Sequence, residues 1–296
     1  MADSYVITCC STADMPASYM EAHSIPYARF HFRMDGREYE DDLGASISFE
    51  EFYKKIDEGA MPTTAQVNPE QYRALFEPIL AEGKDVLHLA LSSGISGSVG
   101  SARIAAQTLS EKYPDRRIEV IDSLCASVGY GLLVDTALER QAAGEDLSAL
   151  SAWITENRTR LHHWFTTSDL THFRRGGRVS ASAAFFGNML NICPIMQVSR
   201  AGTLIPQEKC RGTKKSLREL KDRMVLHAQE GAAYPGKCFV GHSARPEEAR
   251  FLANLIEEAF PQLAGKILIT SIGTVIGSHT GPGTVVVVFW GDEREV

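Results

Sequence analysis

No run of this sequence approaches the roughly 20 consecutive apolar residues that cross a bilayer as a helix, so no transmembrane segment is expected. The opening residues, MADSYVITCCSTADMP, carry neither a basic start nor an apolar core of signal-peptide length. A cytoplasmic location is the expectation. Cysteine is sparse: Cys9, Cys10, Cys125, Cys193, Cys210 and Cys238 form no CxxC pair. That spacing signals neither a structural zinc site nor a thioredoxin-like centre. Free thiols in a reducing compartment are expected. Basic charge is also short. Thirty Lys and Arg stand against 37 Asp and Glu, a net charge of -7 at pH 7. This weighs against a protein that lives on the phosphate backbone, so no nucleic-acid partner is expected.

Catalytic signatures are equally scarce. There is no GKS or GKT phosphate loop and no GxGxxG, so nucleotide binding lacks its usual marks. There is no GxSxG elbow and no HExxH pair. His162 and His163 are adjacent on an expected strand and point to opposite faces, so they cannot converge on one metal. No metal, no cofactor and no catalytic residue are expected.

What is present is a globular composition, 44% hydrophobic and 23% charged over 296 residues. Such a chain buries roughly three quarters of its unfolded surface, and its length suggests about two domains. The first half alternates strands and helices. Strands are expected at 5–9, 26–32, 85–91 and 117–121, with helices at 98–109 and 128–141. Asp35-Gly36 is a hairpin turn signal. Ser48 with Glu51, and Asn68-Pro69 with Gln71, read as helix caps. This alternation implies a parallel sheet covered by helices. The second half mixes a hairpin around Arg200-Ala201-Gly202 with helices at 213–227 and 246–260 and strands at 164–167, 237–241, 267–271 and 284–290. The expected fold class is α/β, with an N-terminal parallel-sheet domain (1–160), a C-terminal mixed-sheet domain (161–296), and a boundary between about 155 and 165.

Polar loops fall at the strand ends, where ligands of such sheets bind. Leu91-Ser92-Ser93-Gly94-Ile95-Ser96-Gly97-Ser98 joins a strand to a helix. Its small residues and exposed amides fit either a structural turn or an anion site. Pro62-Thr63-Thr64-Ala65-Gln66 is a polar loop ahead of a capped helix, where a threonine either caps or touches a ligand. Asp122 is placed to organise neighbouring loops through backbone hydrogen bonds. Gly273 to Gly283 carries His279 on a glycine-held course between two strands. Arg174, Arg175 and Arg178 form one basic group, and Arg211, Lys214, Lys215 and Arg218 another. Each fits a solvated face or a docking surface for an acidic partner. Ser93 with His279 leaves a small-molecule serine hydrolase open, although no acid is named to orient the histidine. A regulatory or scaffold protein is the other open reading.

Taken together and in order, these loops resemble the DegV family of bacterial fatty-acid-binding proteins. Ser11-Thr12-Ala13-Asp14-Met15-Pro16 resembles the opening DSTxDLP, and Thr63-Thr64-Ala65-Gln66 the TSQ loop. Ser92 to Gly97 resembles SSGLSG, Ile121-Asp122-Ser123 the VDS strand end, and Gly176 to Ser180 GGRIS. Gly277 to Gly283 resembles the closing GxHTGPG. The resemblance implies two α/β domains with a long-chain fatty acid between them. It implies carboxylate binding by Thr64, Ser93 and His279, supported by Thr63, Ser92, Gly94, Gly97, Gly277 and Thr280. Phe185, Phe186, Met189 and Ile276 are the expected tunnel lining. The resemblance also implies a non-catalytic role, with Arg175, Arg178 and Arg211 near a face offered to a fatty acid kinase related to dihydroxyacetone kinases. Three departures stand out. Cys10 replaces the first Asp of DSTxDLP and Ala65 the Ser of TSQ, both expected at the ligand mouth. Cys193 stands where Lys is common, which would weaken a basic patch.

Overall fold

The structure, a computed structural model, describes residues 4–179 and 192–295. The expected tunnel residues Phe185, Phe186 and Met189 lie outside the described residues. The first half runs β1 (Tyr5–Cys10), α1 (Ala17–Ala22), β2 (Tyr27–Ala28), β3 (His31–Met34), β4 (Arg37–Glu40), α2 (Phe49–Asp57), β5 (Thr63–Ala65), α3 (Pro69–Ala81), β6 (Asp85–Ala90), α4 (Ser98–Lys112), β7 (Ile118–Asp122), α5 (Ser127–Ala142) and α6 (Leu147–Asn157). The second half runs β8 (Leu161–Thr166), α7 (Thr171–Gly176), β9 (Ile192–Val198), β10 (Leu204–Arg211), α8 (Thr213–His227), β11 (Cys238–His242), α9 (Pro246–Ala259), β12 (Leu268–Ser271), α10 (Thr274–Thr280) and β13 (Val285–Trp290).

The elements form a parallel four-stranded sheet, β2-β1-β6-β7, and a mixed six-stranded sheet, β10-β9-β8-β13-β11-β12. A small antiparallel sheet, β4-β3-β5, stands apart. This is the two-domain α/β architecture the alternation predicts. The expected strand 26–32 is in fact two pieces. Tyr27–Ala28 joins β1 in the parallel sheet, and His31–Met34 begins the small sheet. The expected loop 62–66 holds β5, because Thr64 finds a pairing partner in Phe32 that its own neighbours do not reveal. The helix caps at Ser48 and Asn68 form as their spacing predicts, the latter as a reciprocal capping box.

Helix α5 organises the molecule. It packs against β1 on one side and against β8, β11 and β13 on the other. A helix between two sheets must be apolar all round, as Val128, Tyr130, Leu132, Leu133 and Val134 make it, all of them buried. Glycines let it approach both layers. A Cβ on Gly129 would stand 2.0 Å from His163 Nε2, and one on Gly131 2.6 Å from the Ala13 carbonyl. The six-stranded sheet is covered on both faces. Val286 and Val288 of β13 turn to the α5 side, and Val285, Val287 and Phe289 to α8 and α9. The unbroken apolar run of β13 follows from this double burial.

The loop after β6 presses against the β9–β10 hairpin. A Cβ on Gly94 would lie 2.6 Å from the Gly202 carbonyl oxygen and 2.9 Å from that of Ala201. Both obstacles are backbone and cannot swing aside. Gly94→Ala is therefore expected to cost about 1–3 kcal/mol of stability, seen as a lower Tm in thermal unfolding. An unchanged Tm would show that the hairpin yields freely.

Candidate functional site

A cavity of about 260 Å³ lies between the two halves, lined from both. Its walls are mostly apolar: Phe165 of β8, Phe173 of α7, Val275 and Ile276 of α10, Leu204 of β10 and Val286 of β13. Polar groups gather around Thr64, whose hydroxyl lies 2.7 Å from His279 Nε2. Gln66, Ser96 and Arg178 line the same cavity. Arg178 is steadied by donating from Nε to the Ile95 carbonyl at 3.3 Å, with a further bond to the Gly176 carbonyl. Burial, aided by the positive charge of Arg178, pushes His279 down to about 4. The imidazole is therefore neutral at pH 7. Its Nδ1 is buried and has no hydrogen-bond partner among the described residues, and it sits against Gly176, where a Cβ would come within 2.4 Å.

His279 stands on a helix, which corrects the expected glycine loop. Gly273 and Gly281 lie outside α10 as its caps, with Gly281 in a positive-φ conformation. Val275, Ile276, His279 and Thr280 share one face of it, the spacing by which the helix was legible. Gly277 instead packs on Phe52 and Tyr53. At 1.5 Å per residue, α10 carries the cavity wall roughly 8 Å from Thr274 to His279. Near its start the lining turns polar again, with Ser127 and His163. His163 Nδ1 donates to the Leu161 carbonyl at 2.9 Å, leaving Nε2 to accept from the Ala126 N–H at 3.4 Å. Burial holds this ring well below its usual range, hence neutral. Sequence reasoning missed His163 because its neighbour hid it, although the opposite-face argument itself assigns one of the two rings to each side of β8.

The Ser92 to Ser98 loop divides its work. Ser92 is buried and its hydroxyl donates to the Gly202 carbonyl at 2.8 Å, a structural tie. Ser93 is exposed, with its N–H bonded to Asp122 Oδ1 at 3.1 Å. Asp122 Oδ1 also accepts the Leu124 N–H at 3.1 Å, so it organises two loops. Ser96, not Ser93, is in the cavity lining. Gly97 leaves room for Gln66, whose Oε1 would be 2.7 Å from a Cβ there. His279 bonds Thr64 rather than Ser93, so the structure does not assemble the serine–histidine pair that a hydrolase would use. Thr280 lines the cavity and Thr63 is exposed at its rim strand.

The departures from the family pattern fall elsewhere than expected. Cys10 is not at the cavity. It is fully buried, 3.2 Å from the Tyr72 hydroxyl and 3.8 Å from His88 Nε2, and burial pushes its thiol up to about 11. Cys193 is buried in β9 beside Thr213, not on a basic surface. Ala65 is exposed in β5. Arg175 and Arg211 are exposed, on α7 and the outer strand β10 respectively.

One cluster among the described residues has metal-ligand composition: His162, His227 and Asp292. Its hydrogen bonds close it. Trp164 Nε1 donates to His162 Nδ1 at 3.2 Å. An indole nitrogen only donates, so His162 Nδ1 accepts and the ring proton sits on Nε2. That N–H points at Asp292, 3.0 Å from its carbonyl and from Oδ1. The trio is a hydrogen-bonded corner at the end of β13.

The arrangement of the sheets coincides with that of known proteins. The sequence profile of the DegV family matches residues 5–292. The chain belongs to the DegV family. A DegV domain-containing protein of Clostridium perfringens is 39% identical over 98% of this chain and 99% of its own. A fatty-acid-binding DegV family protein from Thermus thermophilus superposes with a TM-score of 0.84 at 28% identity, covering 98% of this chain and 100% of the other. DegV of Bacillus subtilis, a fatty acid binding protein, gives a TM-score of 0.82 at 26% identity over 99% and 100% of the two chains. Among the described residues no helix is long and apolar enough to cross a membrane.

Proposed function

We propose that this DegV protein binds a long-chain fatty acid in the cavity between its halves, taken as domains 1–160 and 161–296. The observation that carries the reading is the cavity itself: apolar walls ending at a neutral His279 hydrogen-bonded to Thr64, with Arg178 beside them. Each methylene moved from water into such walls contributes about 0.8 kcal/mol. The polar end need only satisfy and orient the carboxylate. His279 Nε2–H donates to Thr64, whose hydroxyl proton is then free for the carboxylate, and Arg178 offers the compensating charge. Ser93, exposed on the same loop as Ser96, is an outer contact for the head group, and Ser92, Gly94 and Gly97 hold that loop in place. The fatty-acid binding of the Thermus thermophilus and Bacillus subtilis relatives supports the assignment. Organic extraction of the purified protein followed by mass spectrometry is expected to release a long-chain fatty acid. No extracted acid, and no uptake of added palmitate, would overturn the reading.

The carboxylate end favours a further step. Helix α7, with Arg174 and Arg175, packs against α10 beside Arg178. A partner docking on this basic face meets the head group, which fits presentation of the carboxylate to a separate ATP-dependent kinase related to dihydroxyacetone kinases. Arg175→Glu is expected to abolish acyl-phosphate formation with such a kinase while leaving palmitate affinity unchanged. Unaltered turnover would remove Arg175 from the docking face.

A further inference from the structure

The start of α10 meets the other half of the chain at three consecutive residues. The Tyr53 hydroxyl donates to the Ile272 carbonyl at 2.8 Å. Gly273 lies directly against Oδ1 of the Asp14 carboxylate. The Thr274 hydroxyl donates to Asp41 Oδ1 at 2.7 Å. Behind this contact, Ser127 at the start of α5 donates to Asp14. Both carboxylates are buried, 3% and 1% exposed. One oxygen of each, Asp14 Oδ1 and Asp41 Oδ2, has no hydrogen-bond partner among the described residues. A Cβ on Gly273 would lie 2.5 Å from Asp14 Oδ1, so only glycine leaves Asp14 in place.

We propose that Asp14 and Asp41 are positioning residues for the acyl site: they fix the first turn of α10, and α10 fixes Ile276 and His279. A helix of seven residues has no stability of its own in water, so its place is set by what holds its ends. Its first N–H groups lack partners within the helix, and a carboxylate satisfies them best. Burial raises both acids above the usual carboxylate range, and Asp41 raises Asp14 further. The titratable groups that face the pair are Tyr53 of α2, Cys10 at the end of β1, and Asp42. None is a cation, so the pair keeps a proton where exposed carboxylates have lost theirs. The sign of the linkage follows. Unfolded, both acids ionise near their usual pKa of about 4. Folded, they hold the proton to higher pH. The stability they contribute is complete below about 4 and declines as pH rises toward the folded value.

The affinity arm of the test rests on the fatty-acid reading, and the stability arm does not. Palmitate affinity and urea stability are measured for wild type, Asp41→Asn and Asp41→Ala between pH 5 and 9. Asn keeps a carbonyl oxygen for Thr274 and removes one buried charge. It is expected to bind palmitate within about 3-fold of wild type, and to gain stability relative to wild type as pH rises. Ala offers Thr274 no acceptor and is expected to weaken palmitate at least about 10-fold. If Asp41→Ala does not fold, Thr274→Val serves in its place, with an expected loss of about 3-fold or more. Wild-type affinity in Asp41→Ala (or in Thr274→Val) would overturn the proposal. So would an Asp41→Asn stability profile parallel to wild type at every pH. Absence of any palmitate binding to wild type would overturn the fatty-acid reading instead, with the clasp still judged by its stability profile.

Discussion

Val286→Trp is expected to remove most acyl affinity while leaving the empty protein at least as stable as wild type. Val286 lies in the centre of the six-stranded sheet, paired with Phe165 on one side and Gly241 on the other, and its side chain lines the cavity. A larger apolar ring there grows into empty space rather than into packed neighbours. Filling such space improves packing of the empty protein, so its Tm is expected to hold or rise. The same ring takes the room of roughly three or four methylenes. At about 0.8 kcal/mol each, affinity falls by about 3 kcal/mol, on the order of 100-fold. Isothermal calorimetry with palmitate and a thermal melt of the same sample check both halves. If the strand rejects Trp, Val275→Phe makes the same test from α10. Palmitate affinity within about 3-fold of wild type in a folded variant would place the acyl chain elsewhere.

His279→Ala is expected to weaken palmitate about 5- to 10-fold, the range for a neutral hydrogen bond, because Thr64 loses the donor that turns its hydroxyl proton to the carboxylate. It also has a signature in pH. Burial and Arg178 hold the free imidazole down to about 4. A carboxylate bound beside it raises that value, because the anion favours the charged ring. Binding then draws in a proton, and wild-type affinity increases as pH falls from 7 toward 5. His279→Ala loses this increase, and it retains only the titration of the lipid carboxyl itself, which the comparison cancels. Parallel pH profiles for the two proteins would mean that His279 does not face the bound anion. Nearly unchanged fold is expected, since the ring is only partly buried and its partner Thr64 remains hydrogen-bonded in β5.

Much of this architecture is legible in local patterns. The capped helices, the Asp35-Gly36 hairpin and the long amphipathic α8 and α9 each carry their signal within about a dozen residues. Helix α6 carries one too: Asp146 accepts the Ala149 N–H at 2.9 Å, and Leu147, Leu150 and Ile154 recur at helical spacing. What no local pattern shows is pairing between distant segments. β5 is a strand only because β3 lies beside it. Cys10, placed by motif order at the ligand mouth, turns instead into a polar core pocket with Tyr72 and His88. Strand alternation gives two faces but not which face meets the cavity.

The sequence by itself determined the alternation of the main strands and helices, the parallel and mixed sheets, and the segments that carry Thr64 and His279. These rest on periodicity, capping and turn chemistry, which act over a few residues. The tertiary structure alone decided that His279 bonds Thr64, that Ser96 rather than Ser93 lines the cavity, and that His163 lies within it. It alone brought Asp14 and Asp41 to the base of α10, more than 200 residues away in the chain. The reason is physical: burial, desolvation and shared hydrogen bonds belong to pairs of segments, and only the folded chain chooses the pairs.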